Sequence, residues 1–200
     1  MQEILPGIHH WTALHEGIKM QVSSYYLDPA GALVDPMLPD GGIDWFESRE
    51  VRPQQILLTN RHHYRHSDRF NEAFYLPVRC SKPGLHEFEN GPDVEGFEFG
   101  DELAPGITAI EIGGICPDDT AFHIEVAEGA IAVADALIHY GGTLAFVPDG
   151  LMGDPARDKQ AMLESFRGLL ERDFDHLLFA HGEPLIGGGK AALRDFVQSA

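Results

Sequence analysis

The segment that decides the fold reads Thr59-Asn60-Arg61-His62-His63-Tyr64-Arg65-His66-Ser67. It follows a short apolar run at 55–59, whose length and composition are typical of a buried strand. The segment holds three of the chain's 11 histidines, together with two arginines. Rigid scaffolds often present functional side chains on loops at strand ends. The 59–67 segment therefore predicts part of a functional site.

Polar clusters also follow three later strands of the predicted fold. They are residues 115–118 after a strand at 107–112, Asp135 after a strand at 130–134, and His181-Gly182 after a strand at 176–180. Four clusters at strand ends can build one site if the strand ends converge, and we expect them to do so.

The remaining pattern predicts a single α+β domain over residues 1–200. Turn residues divide 20–35 and 121–134 into two β-hairpins. An amphipathic helix is expected at 158–171 and a further helix at 190–198. Strands in two groups, each followed by helices, favour two sheets packed face to face with helices outside. The hairpins argue against a doubly wound parallel sheet, because parallel strands need long crossovers.

Composition limits the partners. The chain has 200 residues, with 32 acidic against 14 basic side chains and a net charge of −18. So acidic a surface repels phosphate backbones, which argues against nucleic-acid binding. No apolar run approaches the roughly 20 residues of a membrane helix. The first residues lack the basic cluster of a signal peptide, so we expect a cytoplasmic protein. The sequence leaves open whether the chain forms a homodimer.

The order of these features resembles the metallo-β-lactamase superfamily. That family carries Thr-His-x-His-x-Asp-His after an early strand, a third histidine in a glycine turn, an aspartate after a hairpin strand and a late His-Gly. The local match is best at Phe179-Ala180-His181-Gly182-Glu183-Pro184. The resemblance implies a four-layer αββα sandwich and, in an active member, a metal-dependent hydrolase. It also implies that Asp35, at a strand end, supports a loop.

The ligand motif of the family is incomplete here. The positions of expected ligands carry Asn60, Tyr64, Arg65 and Ile115 instead. The resemblance leaves three candidate metal ligands, His62, Asp135 and His181. Around them we expect a pocket whose members are Asn60, His63, Tyr64, Arg65, His66 and Cys116. Three protein ligands suffice for one catalytic zinc ion but do not make a two-metal site.

Three interpretations follow. In the first, no metal binds: Arg65 replaces the lost cation and pairs with Asp135, and the protein binds a small molecule or a partner without catalysis. In the second, one Zn or Fe ion binds, helped by His63 or His66, and supports hydrolysis of a small ester, thioester, lactone or amide. In the third, His63 and His66 are solvated or capping residues and Tyr64 belongs to the core.

Overall fold

The computed structural model describes all residues from Met1 to Ala200. The chain divides into two compact units, Met1–Glu98 and Phe99–Ala200. Each unit has its own sheet, helices and hydrophobic core. No helix has the length and apolar character needed to cross a membrane.

The first unit contains one mixed sheet of seven strands, whose order in space is their order along the chain. The strands are β1 (Gln2–Leu5), β2 (Ile8–His15), β3 (Met20–Leu27), β4 (Ala32–Val34), β5 (Gln55–Leu57), β6 (Val78–Ser81) and β7 (Glu95–Phe97). Neighbours from β1 to β4 are antiparallel, and those from β4 to β7 are parallel. The parallel part brings the ends of β4 and β5 to the same edge of the sheet.

Two helices join the parallel strands, α1 (Asp44–Glu47) before β5 and α2 (Ser67–Phe74) before β6. Each contributes one fully buried ring to the core of the unit, Phe46 from α1 and Phe70 from α2, and these rings meet edge to face at 5.1 Å. The sheet side of the core includes Tyr26 and Ile56. Burial of these large apolar surfaces fixes the helices on the sheet and so fixes the loops between them.

The second unit contains a five-stranded sheet and a separate two-stranded ribbon. The strands are β8 (Glu102–Ala104), β9 (Ile107–Glu111), β10 (Thr120–Ile124), β11 (Ala130–Val133), β12 (Ile138–Tyr140), β13 (Thr143–Ala145) and β14 (His176–Phe179). The main sheet runs in the order β14-β11-β10-β9-β8, and β12 pairs with β13 in the ribbon. Only the β11–β14 pair is parallel.

Helices α3 (Pro155–Leu170) and α4 (Gly189–Ser199) complete the second unit. The Asp154 side chain accepts a hydrogen bond from the backbone N–H of Arg157, and Pro155 fills the first turn, which together start α3. The buried face of α3 carries Met162 and Phe166, as its helical spacing predicts. These side chains join the core formed by β11 and β14.

Candidate functional site

Asp35 is the centre of the group of candidate residues in the first unit. It follows β4 with a left-handed backbone, φ 47°, and is only 1% exposed. Its carboxylate accepts hydrogen bonds from the Thr59 backbone N–H at 2.8 Å and from the Thr59 hydroxyl. The Nδ1 atom of His63 lies 2.9 Å from the same carboxylate. Asp35 thus ties the start of the 59–67 segment to the end of β4, the loop support that the resemblance implies.

The environment keeps this buried carboxylate charged. Burial by itself would raise the pKa of Asp35, but the charge and hydrogen bond of His63, the charge of Arg65 and the hydrogen bond from Thr59 outweigh it. The pKa of Asp35 is therefore held below its ordinary value. A buried, ionised aspartate is a stable anchor only while these donors stay in place.

The hydrogen bonds of His63 determine which of its ring nitrogens carries the proton. Its Nδ1 lies 2.8 Å from the Thr59 hydroxyl as well as 2.9 Å from Asp35. An ionised carboxylate is only an acceptor, so Nδ1 carries the proton. In the neutral ring, Nε2 then has the lone pair, which is the arrangement of histidines that bind metals with a carboxylate behind them. His63 is 5% exposed.

His62 and Asn60 differ sharply in exposure. Asn60 is fully buried and begins a short 3-10 helix at Arg61–His63, where its side chain accepts a hydrogen bond from the His62 backbone N–H at 2.9 Å. The His62 side chain is exposed. Asn60 therefore has a structural role as a cap, and the prediction that His62 is a metal ligand stays a prediction.

Three further members of the predicted pocket, Tyr64, Arg65 and His66, make contacts within the first unit. Tyr64 is half-buried and packs against the unit's core, with its ring 5.9 Å from that of Phe88. Arg65 has a left-handed backbone, φ 47°, and its Nη1 donates to the carbonyls of Ser23 and Asp35 at 2.5 and 2.8 Å. The core packing of Tyr64 agrees with the third interpretation for that residue.

His66 has a defined structural role. Its Nδ1 accepts a hydrogen bond from the backbone N–H of Leu38 at 3.0 Å, and its own backbone N–H donates to the Pro36 carbonyl at 3.1 Å. An accepting Nδ1 places the ring proton on Nε2. His66 therefore joins α2 to the loop after β4, with Nδ1 already engaged.

The candidate residues of the second unit include the strand-end pair, Asp135 and His181. The Asp135 Oδ1 lies 3.0 Å from the His181 Nε2. The parallel register pairs Val133 of β11 with Phe179 of β14, so two residues further on Asp135 comes opposite His181. The Ala180 N–H donates to the Val133 carbonyl at 3.1 Å and extends the ladder toward the pair.

Cys116, also predicted to lie in the pocket, is 7% exposed and forms no disulfide. Its carbonyl accepts a hydrogen bond from the Asp119 N–H in the turn after β9. Sequence reasoning did not single out His139, which lies on β12 and contacts the turn after His181. The only available signal was its position four residues after Asp135.

The donor chemistry of the strand-end pair fits a divalent metal ion. Zinc takes histidine nitrogen and carboxylate oxygen at about 2.0–2.2 Å, which in a tetrahedral site puts two such ligand atoms about 3.4 Å apart. The observed separation of 3.0 Å between Oδ1 and Nε2 requires only a small opening. One imidazole and one carboxylate also suit iron.

No family model matches the chain. No curated protein matches it. Solved structures do match it over nearly its whole length. DIM-1 metallo-β-lactamase superposes with a TM-score of 0.74 at 13% identity, covering 99% of this chain and 96% of that one. The di-iron-bound form of TTHA1623 gives a TM-score of 0.70 at 22% identity, covering 93% and 99%. The metallo-β-lactamase family protein TTHA1429 from Thermus thermophilus gives 0.67 at 18%, covering 98% and 80%.

Matches at such low sequence identity show that the backbones follow a similar path, which is a similarity of fold. They extend across both units, because they cover more than nine-tenths of the chain. They agree with the order of strands and polar clusters along the sequence. The chain has the metallo-β-lactamase fold.

Proposed function

We propose that the chain binds one divalent metal ion, zinc or iron, and uses it to hydrolyse a small ester, thioester, lactone or amide. The ligands in this proposal are Asp135, His181 and one histidine of the 59–67 segment. The observation that carries it is the strand-end pair, a carboxylate oxygen and an imidazole nitrogen held 3.0 Å apart by strand register. A di-iron-bound protein among the structural neighbours supports metal binding by this fold.

Two histidines compete for the third ligand position. The family motif favours His62, whereas the hydrogen bonds favour His63, because Asp35 fixes its Nδ1 proton and leaves Nε2 as the ligand atom. We therefore propose His63 first and keep His62 as the alternative. A second ion is not part of the proposal, since four of the family's ligand positions carry Asn60, Tyr64, Arg65 and Ile115 instead.

The chemistry follows from the ligands. When bound, such an ion lowers the pKa of a coordinated water to about 7 and polarises a carbonyl. The Asp35 carboxylate would hold the orientation of His63, and His181 would be held by the backbone of its turn. The buried Thr59 hydroxyl donates to Asp35 and so keeps its carboxylate in place.

The test is the metal content of protein purified without chelator, measured by mass spectrometry, followed by zinc titration. We expect about one ion per chain, and loss of high-affinity binding in His181→Ala and in His63→Ala. The control is His123→Ala, because His123 lies on β10 with its Nε2 bonded to the Asp173 carbonyl. Absence of zinc binding after titration would contradict the proposal, and loss in His62→Ala alone would move the third ligand to His62.

A second candidate is a metal-free protein that binds a small molecule. The observation that favours it is Arg65, whose guanidinium is fixed by two backbone carbonyls and is a permanent positive charge. Asp135→Asn separates the candidates. If a guanidinium neutralises the half-buried Asp135, the variant loses unfolding free energy, by less than the roughly 3–5 kcal/mol of a fully buried pair. If Asp135 is a ligand, the loss appears in zinc affinity and in turnover of a nitrophenyl ester.

A further inference from the structure

Three hydrogen bonds join His139 to the turn that carries His181. Its backbone N–H donates to the His181 carbonyl at 3.2 Å, and its carbonyl accepts from the Glu183 N–H at 3.0 Å. Its Nδ1 lies 2.7 Å from the Glu183 carbonyl. His139 thus contacts both polar main-chain groups of Glu183, and it also holds the backbone of His181 itself.

The ring of His139 is fixed as well as its backbone. A carbonyl can only accept, so the proton lies on Nδ1. The ring packs against Phe179, the last residue of β14, with 5.2 Å between centroids, and His139 is 7% exposed. A buried ring with a donor bond at one end and an aromatic neighbour has little freedom to turn.

Gly182 allows this close contact. Its φ is 105°, and a Cβ built there would lie 1.8 Å from the His139 carbonyl oxygen. On the other side of His181, the Ala180 N–H is held by Val133 of β11. The backbone is therefore fixed both before and after His181.

We propose that His139 is a positioning residue that keeps the His181 ring directed at Asp135. Among these contacts, the His139 imidazole makes the one side-chain hydrogen bond, to the Glu183 carbonyl. The backbone hydrogen bonds of His139 extend this restraint to the His181 backbone. The consequence for metal affinity rests on the proposed function. The orientation of the His181 ring does not depend on the proposed function and is measured on metal-free protein.

The test compares two variants of the full chain. In His139→Asn the amide nitrogen is two bonds from Cβ, as Nδ1 is, and retains the donor; His139→Leu fills the space without one. Imidazole nitrogen signals of His181 are recorded by NMR on chelator-treated protein with isotope-labelled histidine. We expect wild type and His139→Asn to share one state of the His181 ring, in which the Nε2–H donates a hydrogen bond to Asp135. In His139→Leu we expect averaged signals from the His181 ring. Zinc affinity, from competition with a chromophoric chelator, should fall about 10-fold in His139→Leu and be largely restored in His139→Asn.

Two results would overturn the positioning role. One is a His181 ring state in His139→Leu identical to that of wild type, recorded well below the unfolding temperature of both. The other is an equal change in both variants, since the donor would then not be the cause. If wild type binds no zinc while the ring signals behave as expected, the proposed metal function fails and the positioning role stands.

Discussion

The two units hold their candidate residues by different means. In the first unit, Asp35 gathers Thr59 and His63 with side-chain hydrogen bonds at the centre of a loop. In the second unit, Asp135 and His181 are neighbours because β11 and β14 pair in a fixed register. The first arrangement depends on a few polar side chains, whereas the second depends on the sheet.

Single substitutions of polar side chains can alter the first arrangement. In the 59–67 segment Asn60 caps a short 3-10 helix, Tyr64 packs against the core and His66 contacts the backbone. A site held by register keeps its geometry for as long as the core beneath it is intact. The fully buried Ile131 and Leu177, paired across β11 and β14, belong to that core.

The largest expected effect is that of Asp35→Asn, which breaks the first arrangement at its centre. The amide cannot accept all three donors that the carboxylate accepts, and it removes the negative charge beside His63 and Arg65. Loss of one partner from a buried charged network costs roughly 3–5 kcal/mol of unfolding free energy. Urea unfolding measures it.

The matched control for that experiment is Asp40→Asn, an exposed aspartate in the same unit. It should stay within about 0.5 kcal/mol of wild type. Equal stability of Asp35→Asn and Asp40→Asn would mean that the Asp35 network is not what holds the 59–67 segment.

Gly182→Ala breaks the second arrangement through its backbone. The new Cβ would lie against the His139 carbonyl, and φ 105° is unfavourable for alanine, so the turn must shift. We expect a loss of about 2–4 kcal/mol in unfolding free energy, together with weaker zinc binding. Gly150→Ala is the control, since nothing lies within 4 Å of its added Cβ. A stable Gly182→Ala protein with unchanged zinc affinity would show that the turn tolerates displacement.

A smaller effect is expected for His66→Ala, which sharpens the distinction between histidines within one segment. The Leu38 N–H loses its acceptor, and an unsatisfied, partly buried donor costs about 1–2 kcal/mol. Because Nδ1 of His66 is used in this way, zinc affinity should not change. A fall in zinc affinity as large as that of His63→Ala would instead make His66 a ligand, as one interpretation of the sequence allowed.

The sequence predicted the strand-end pair better than the 59–67 segment. Apolar alternation and the Gly129 turn predict the hairpin of β10 and β11, and with it the place of Asp135. The tautomers of His63 and His66 depend on Asp35 and Leu38, which are 28 residues away in each case. Spacing within the segment carries no information about such partners.

An effect of the same size as that of His66→Ala is expected in acid, and it concerns the first unit. Burial, with a minor contribution from the N-terminal charge, lowers the pKa of His10 from 6.5 to about 4. A histidine with a lowered pKa contributes stability that is full above pH 6.5 and is lost as pH falls toward 4. One pKa unit corresponds to about 1.4 kcal/mol, and solvent screening of a partly exposed ring reduces the total, so we expect about 1–2 kcal/mol.

The variant that isolates this acid response is His10→Gln, whose amide can still bond the Ser23 hydroxyl that His10 contacts at 3.0 Å. It should lack the part of the decline that His10 causes. Both tryptophans, Trp11 and Trp45, lie in the first unit, so fluorescence during urea unfolding at about pH 7.5, 6 and 4.5 reports on that unit. Parallel curves for wild type and His10→Gln would place the acid response in other groups than His10. Asp35 is not one of them in this pH range, because a carboxyl whose pKa is lowered from 3.8 loses its contribution to stability only below that pH.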